Sequence, residues 1–339
     1  MSIDISFIWF AIIIFATLMY IIMDGFDLGI GMLFTFITDP EDRDIMVNSV
    51  APIWDGNETW LVLGGAGLFG AFPLAYSVIT DALTLPLMAM LAGLLFRGVA
   101  FEFRFKATPS HRYFWDNAFA GGSVLATFSQ GIVVGAVING FPVEERRFAG
   151  SAFDWLTTFN LFCGLGLIIA YTLLGSTWLI MKSQGLLQNR MRQLARHVLL
   201  ALIAVIAIVS LWTPLSWHYI AQRWFSLPEF FWFLPVPLLV LIFSITLWRF
   251  TQTPSSHVLP FILTLGLIFL GFSGLGISLW PYIIPPKITI WEAASPPESQ
   301  RFMLVGTLFI IPVILAYTTW SYYVFRGKVS GSEGYHQDD

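Results

Sequence analysis

Two acids interrupt a long apolar stretch. In "DGFDLGIG", residues 24–31, Asp24 and Asp27 fall inside the run 6–38, which is otherwise dominated by aliphatic, aromatic and small side chains. Three residues apart, they share one face of a helix, about a turn from each other. Asp24 lies some fourteen residues, about 20 Å at helical rise, from the later end of the run. An acid near mid-bilayer costs at least about 2.5 kcal/mol, so these carboxyls should face the protein interior or water and have a partner. The chemistry open to them is proton exchange. The bland alternative is a neutral Asp hydrogen-bonded to neighbouring backbone. Gly25, Gly29 and Gly31 would let another helix pack closely on the same segment.

A second concentration of polar groups lies in "APIWDGNETW", residues 51–60. Pro52 discourages a helix from running in smoothly, and Asp55 followed by Glu58 fits an N-cap with an acid in the first turn. Helix N-termini favour acids, so capping alone accounts for both. Capping does not call for Trp54, Asn57 and Trp60 beside them, a set of flat apolar faces, an amide and two carboxylates that could wall a polar-headed aromatic ligand. Both readings stand at this point.

The available counter-ion is Arg97 in "LLFRGVAFEFRFK". With antiparallel spans, the late parts of the first and third runs and the start of the second share one half of the membrane, so Arg97 can meet Asp24, Asp27, Asp55 or Glu58. Alternatively, it snorkels to the interface. Glu102 and Lys106 are spaced as an ordinary interfacial pair worth about 0.3–0.5 kcal/mol. Asp81 and Asp154 read as caps or surface groups.

The elements that must position these residues are membrane helices. The chain is 57% hydrophobic and only 11% charged, far below the roughly 25% charged of a soluble domain, and its mean hydropathy is +0.75. Nine runs are long enough to span: 6–37, 56–78, 81–103, 117–139, 153–181, 197–220, 229–250, 257–282 and 302–325. None alternates with the period of a β-barrel strand, so the fold class is an all-α, polytopic integral membrane protein. The first run has no basic region before it and is too long for a signal peptide, which makes it a retained span. Eleven Lys and Arg residues follow odd-numbered runs and five follow even-numbered ones, which predicts an outside N-terminus and a cytoplasmic C-terminus. Residues 1–328 read as a single transmembrane domain and 329–339 as a disordered cytoplasmic tail. Trp212, Trp217, Tyr219 and Trp224 fit an interfacial belt.

Several function classes are set aside. A net charge of −4 gives no footprint for nucleic acid. The single cysteine, Cys163, builds neither a disulfide nor a metal site within the chain. His111, His197, His218, His257 and His336 fall in loops, near span ends or in the tail, so no bis-histidine haem site or other metal site is expected; Met23, Met88 and Met90 read as packing.

With "DGFDLGIG" on the first span, "APIWDGNETW" at the second and "LLFRGVAFEFR" on the third, the sequence resembles subunit II of the cytochrome bd-type quinol oxidases. The late segment "WPYIIPPKITIWEAASPPESQ" extends the resemblance, and "PPESQRF" is similar to the cyanide-insensitive branch. The resemblance implies a heterodimer in the bacterial inner membrane. Subunit I would carry two b haems and a d haem, oxidise quinol and reduce dioxygen to water without pumping protons. Subunit II would share its fold, two four-helix bundles plus a peripheral helix, and hold no haem. It would support assembly, hold a structural quinone at Trp54, Asp55, Asn57 and Arg97, and pass protons through Asp55, Asp24, Asp27 and Glu58. No residue of this chain would be catalytic by itself. Expected partners are subunit I and membrane lipids, with room for a small single-helix subunit. Two other classes fit the membrane acids: a proton- or sodium-coupled secondary transporter, and a purely structural membrane subunit.

Overall fold

A computed structural model describes residues 4–329; the polar tail expected to be disordered lies, apart from Val329, outside them. The elements, in chain order, are α1 (Ile5–Leu33), α2 (Pro40–Asn48), α3 (Trp54–Ala71), α4 (Pro73–Ala82), α5 (Thr84–Lys106), α6 (Pro109–Asn139), β1 (Val143–Glu144), β2 (Arg147–Phe148), α7 (Thr158–Lys182), α8 (Gly185–Ser216), α9 (His218–Phe225), α10 (Glu229–Phe233), α11 (Pro235–Thr251), α12 (Leu259–Leu279), β3 (Tyr282–Ile284), β4 (Ile288–Thr289), α13 (Ile290–Ala293) and α14 (Pro297–Val324). The chain is an all-α membrane protein. Among the described residues eight helices are long and apolar enough to cross a membrane, and a bent pair brings the number to nine.

Local chemistry explains where the helices begin. Asp4 caps α1 by accepting from the Phe7 N–H at 3.1 Å, and Thr157 caps α7 by accepting from Asn160 N–H. Pro40, Pro73, Pro109 and Pro297 stand in the first turns of their helices, where no N–H is needed. Pro73 also corrects one expectation. The run 56–78 is not one straight span: α3 stops at Ala71, and α4 leaves it at 118°. Proline cannot continue the helical hydrogen-bond ladder and clashes with the preceding turn. The end of α3 is closed by Ser295, whose N–H donates to the Ala71 carbonyl at 2.8 Å.

α1, α3, α5 and α6 pack as one bundle, and α7, α8, α11 and α12 as a second; α14 lies outside, against α1 and α3. The bundles join where α1 and α6 meet α7. There Gly29 and Gly175 face each other so closely that a Cβ on either would run into the other helix's backbone, the close approach small residues permit. Phe26 of α1 stacks on Trp178 of α7 at 4.1 Å beside this contact.

At the rim where α1 begins, α4, the β1–β2 and β3–β4 hairpins and α13 form a cover, tied to α1 by the Trp291 Nε1–H donating to Asp4 at 2.6 Å. At the opposite rim, α2 and the facing ends of α5 and α6 carry Arg43, Arg104, Lys106 and Arg112. α8 begins twelve residues before the predicted span, so His197 sits well inside a helix rather than near its end, although it is exposed. Lys182, counted in sequence as a loop residue, is the buried last residue of α7, and its ammonium donates to the carbonyls of Phe325 and Gly327.

Candidate functional site

α1 presents Tyr20, Asp24, Asp27 and Gly31 at four- and three-residue spacings, which places them on one stripe. Asp24 and Asp27 are completely buried. α5 brings Arg97, also 0% exposed, to this stripe: its Nη1 donates to Asp24 Oδ1 at 2.6 Å and its Nη2 pairs with Glu58 of α3. Burial of the whole guanidinium excludes the snorkelling alternative. Glu58 is 28% exposed, so the buried pair reaches the surface through this carboxylate.

Asn57, one residue earlier on α3, links the second acid. Its amide nitrogen donates to Asp27 Oδ2 at 2.7 Å, and its carbonyl oxygen accepts from the Tyr322 hydroxyl of α14 at 2.9 Å. The peripheral helix is thereby fastened to the site. Asp24 Oδ2, Asp27 Oδ1 and Arg97 Nε have no protein partner. Three carboxyl groups face one guanidinium. Full ionisation would bury uncompensated negative charge, a state that proton uptake relieves.

Trp54 stacks on Phe101 at 5.1 Å, and the Arg97 guanidinium lies 5.9 Å from its ring centroid. Indole, guanidinium and the partly exposed Glu58 therefore adjoin at the start of α3. Asp55 is placed differently from its expected role as a cap. Ile53 occupies the cap position, and Asp55 is an exposed acid in the first turn whose side chain makes no ion pair with Arg97. The ion-pair cluster is built on Glu58. Asp81 and Asp154 are exposed, as expected, and Asp154 accepts from the Ser151 N–H.

A second ionic cluster escaped the sequence reading. Arg104, at the end of α5 and nearly fully buried, donates to Asp116 at 2.6 Å and to Asp44 at 2.7 Å. Arg43 joins Asp116 at 2.8 Å and donates to the Ile37 and Phe34 carbonyls, while Arg112 joins Asp44 at 2.5 Å. These arginines entered the sequence argument only as counters of membrane orientation. The missed signal was Asp116, an acid two turns into a helix that opens with basic residues. Beside this cluster, partial burial is the main cause raising the Asp42 carboxyl above its ordinary value, against the pull of Arg190 at 3.0 Å.

The fold and site define a polytopic helical membrane subunit with a carboxyl-rich polar site buried between its helices. A family model, cytochrome bd terminal oxidase subunit II, matches residues 5–325, and the chain belongs to that family. It is 29% identical over 366 residues to the cytochrome bd-I ubiquinol oxidase subunit 2 of Escherichia coli K12, covering 96% of this chain and 95% of that one. It is 27% identical to the cytochrome bd ubiquinol oxidase subunit 2 of Bacillus subtilis, with coverages of 96% and 97%. The fold is similar to that in the bd oxidase from Geobacillus thermodenitrificans, with a TM-score of 0.77 at 17% identity, over 95% of this chain and 99% of that one. The protein is thus part of a quinol:oxygen oxidoreductase complex of the bacterial inner membrane, a haem-containing assembly in which it partners subunit I.

Proposed function

We propose that this subunit holds no haem, supports assembly of the haem-bearing subunit, holds a quinone in a structural role and delivers protons for reduction of dioxygen to water. The observation that carries the proton reading is the buried Arg97 facing Asp24, Asp27 and Glu58, with Glu58 alone reaching the surface. In this reading Asp55, exposed one turn before Glu58, collects protons at the cytoplasmic rim; Glu58 passes them inward; and Asp24 and Asp27 hold them for the partner. The chain's N-terminus then lies outside and its C-terminus inside, which agrees with the basic residues at the α2, α5 and α6 rim.

The quinone reading rests on the half-buried Trp54 ring, which adjoins the Arg97 guanidinium and the partly exposed Glu58; Asn57, bonded to Asp27 and Tyr322, would act by holding this wall in place. Asp55 would lie at the mouth of that site. The haem-free reading is supported by the exposure of His111, His197 and His218 and the place of the half-buried His257 in a loop, so none of these imidazoles points into the helix core. Subunit I supplies the redox chemistry; this chain's residues bind, orient and move protons.

The test is Asp27→Asn in the assembled complex, with haem content and quinol oxidase turnover measured together. Turnover should fall about tenfold, equivalent to about 1.4 kcal/mol of barrier, with haem retained. Normal turnover with full haem content would remove Asp27 from any obligatory route. For the quinone, Trp54→Ala should reduce the quinone extracted with the complex.

A further inference from the structure

α6 carries a face that the delivery route does not use. Ser123, Thr127 and Gln130 recur at four and three residues, and all are buried. In α7 and α12, buried helical hydroxyls satisfy themselves on their own helix: Thr172 donates to the Ile168 carbonyl, Ser176 and Thr177 to Leu173, and Thr264 to Pro260. Ser123 and Thr127, both at 0% exposure, make no such bond and have no protein partner. Ser244 and Thr318 share that property, but on α11 and α14.

The α1–α6 register shows what this face meets. Gly31 lies against the Ser123 hydroxyl, Phe34 packs on Phe119 at 4.9 Å, and Gln130 donates to the Tyr20 hydroxyl at 2.7 Å. Antiparallel packing between these anchors sets Thr127 level with Asp27, and Gln130 level with Asp24. The hydroxyls of one helix that have no protein partner therefore lie level with the stretch of the other that carries Asp24 Oδ2 and Asp27 Oδ1, which have none either. Tyr171 of α7 closes the far side by donating to Gln130 at 3.2 Å. Toward the Arg104 rim the seam ends in buried rings: Phe119 contacts both Phe34 and Phe101, at 4.9 and 4.8 Å. The polar stretch of the seam thus lies between aromatic rings at one end and an amide with two phenols at the other.

We propose that the α1–α6 seam is a binding site for internal water, held by Ser123, Thr127 and the free oxygens of Asp24 and Asp27, and that this water shares the excess proton of the acids. Buried polar groups without protein partners are normally satisfied by ordered water making two to four hydrogen bonds. The seam is a closed branch, so it stores a proton rather than conducting one through, and its access is Asp24 itself. Ser123 and Thr127 act as positioning residues. The inference deepens the proton-delivery reading and rests on it for its purpose, but its physical content is independent of turnover.

The experiment is infrared difference spectroscopy of the assembled, haem-replete complex between acid and alkaline pH. The protonated-carboxyl C=O stretch is first assigned by its loss in Asp27→Asn. Thr127→Val keeps shape and removes the hydroxyl; it should shift that band and reduce the broad absorbance of a proton shared with water, while Thr127→Ser should restore both. An unmoved band in Thr127→Val overturns the proposal. If that variant does not assemble, Ser123→Ala decides the matter by the same shift or its absence. Should Asp24→Asn and Asp27→Asn leave turnover intact while the band still moves in Thr127→Val, delivery fails and the water site stands.

Discussion

The chain's two ionic clusters are built on opposite charge balances. Around Arg97, Asp24 and Glu58 pair with one guanidinium while a third acid, Asp27, is held by Asn57, and two acid oxygens and Arg97 Nε lack protein partners. Around Arg104, three guanidiniums meet the carboxylates of Asp44 and Asp116, with backbone carbonyls taking further donors from Arg43. The second arrangement carries one cation more than its acids, joins α2 to α5 and α6 at a partly exposed rim, and suits a fastening. The first has an acid surplus in a buried place and suits a group that takes up and releases protons. Burial and ion pairing are common to both; stoichiometry separates them.

Removing the central arginine of each cluster should expose the difference. Arg97→Leu leaves the acids without a counter-ion and should cost about 3–5 kcal/mol, read as lost complex yield and haem content, with Arg97→Lys intermediate. Arg104→Met should cost less, because the remaining arginines still neutralise Asp44 and Asp116: about 2–3 kcal/mol of thermal stability, a fraction of the penalty for breaking a buried pair. Turnover per haem in that variant should be unchanged, and a turnover defect there would erase the functional contrast. Outside both clusters the effects shrink. Glu102→Gln, which breaks the exposed pair with Lys106 at 3.8 Å, should change stability by less than about 0.5 kcal/mol.

The smallest effect concerns pH. At α13 the Thr289 backbone N–H, and then its hydroxyl, hold the exposed Glu292 carboxyl below its ordinary value. A folded-state pKa below the unfolded one contributes stability that is present above the unfolded value, near 4.3, and is lost as pH falls through the lower folded value. Local hydrogen exchange at residues 288–293 should rise over that acid window in the native chain and show no such step in Glu292→Gln.

Composition and run length made the helical membrane architecture legible, because each span must satisfy its own backbone in lipid. The break at Pro73 does not show in run length: proline forbids a regular helix but does not set a bend angle, and the Ser295 N–H that closes α3 comes from far along the chain. Asp24, Asp27 and Arg97 could be picked out because ionisable groups are rare in such runs. Their partners were harder. Asp55 and Glu58 are equally acidic in the sequence, and only the helix phase set by Ile53 places Glu58 on Arg97. The Arg104 cluster and the Ser123–Thr127 face lacked a local signature, since both depend on which residues antiparallel helices bring level.

The most direct test of the central claim is proton uptake during a single reaction of the reduced complex with dioxygen, comparing the native protein with Asp24→Asn at equal haem content. If the acid-rich site feeds oxygen reduction, uptake in the variant slows while dioxygen binding keeps its rate. Uptake at the native rate would contradict the account and leave the Arg97 site, like the Arg104 site, a fastening.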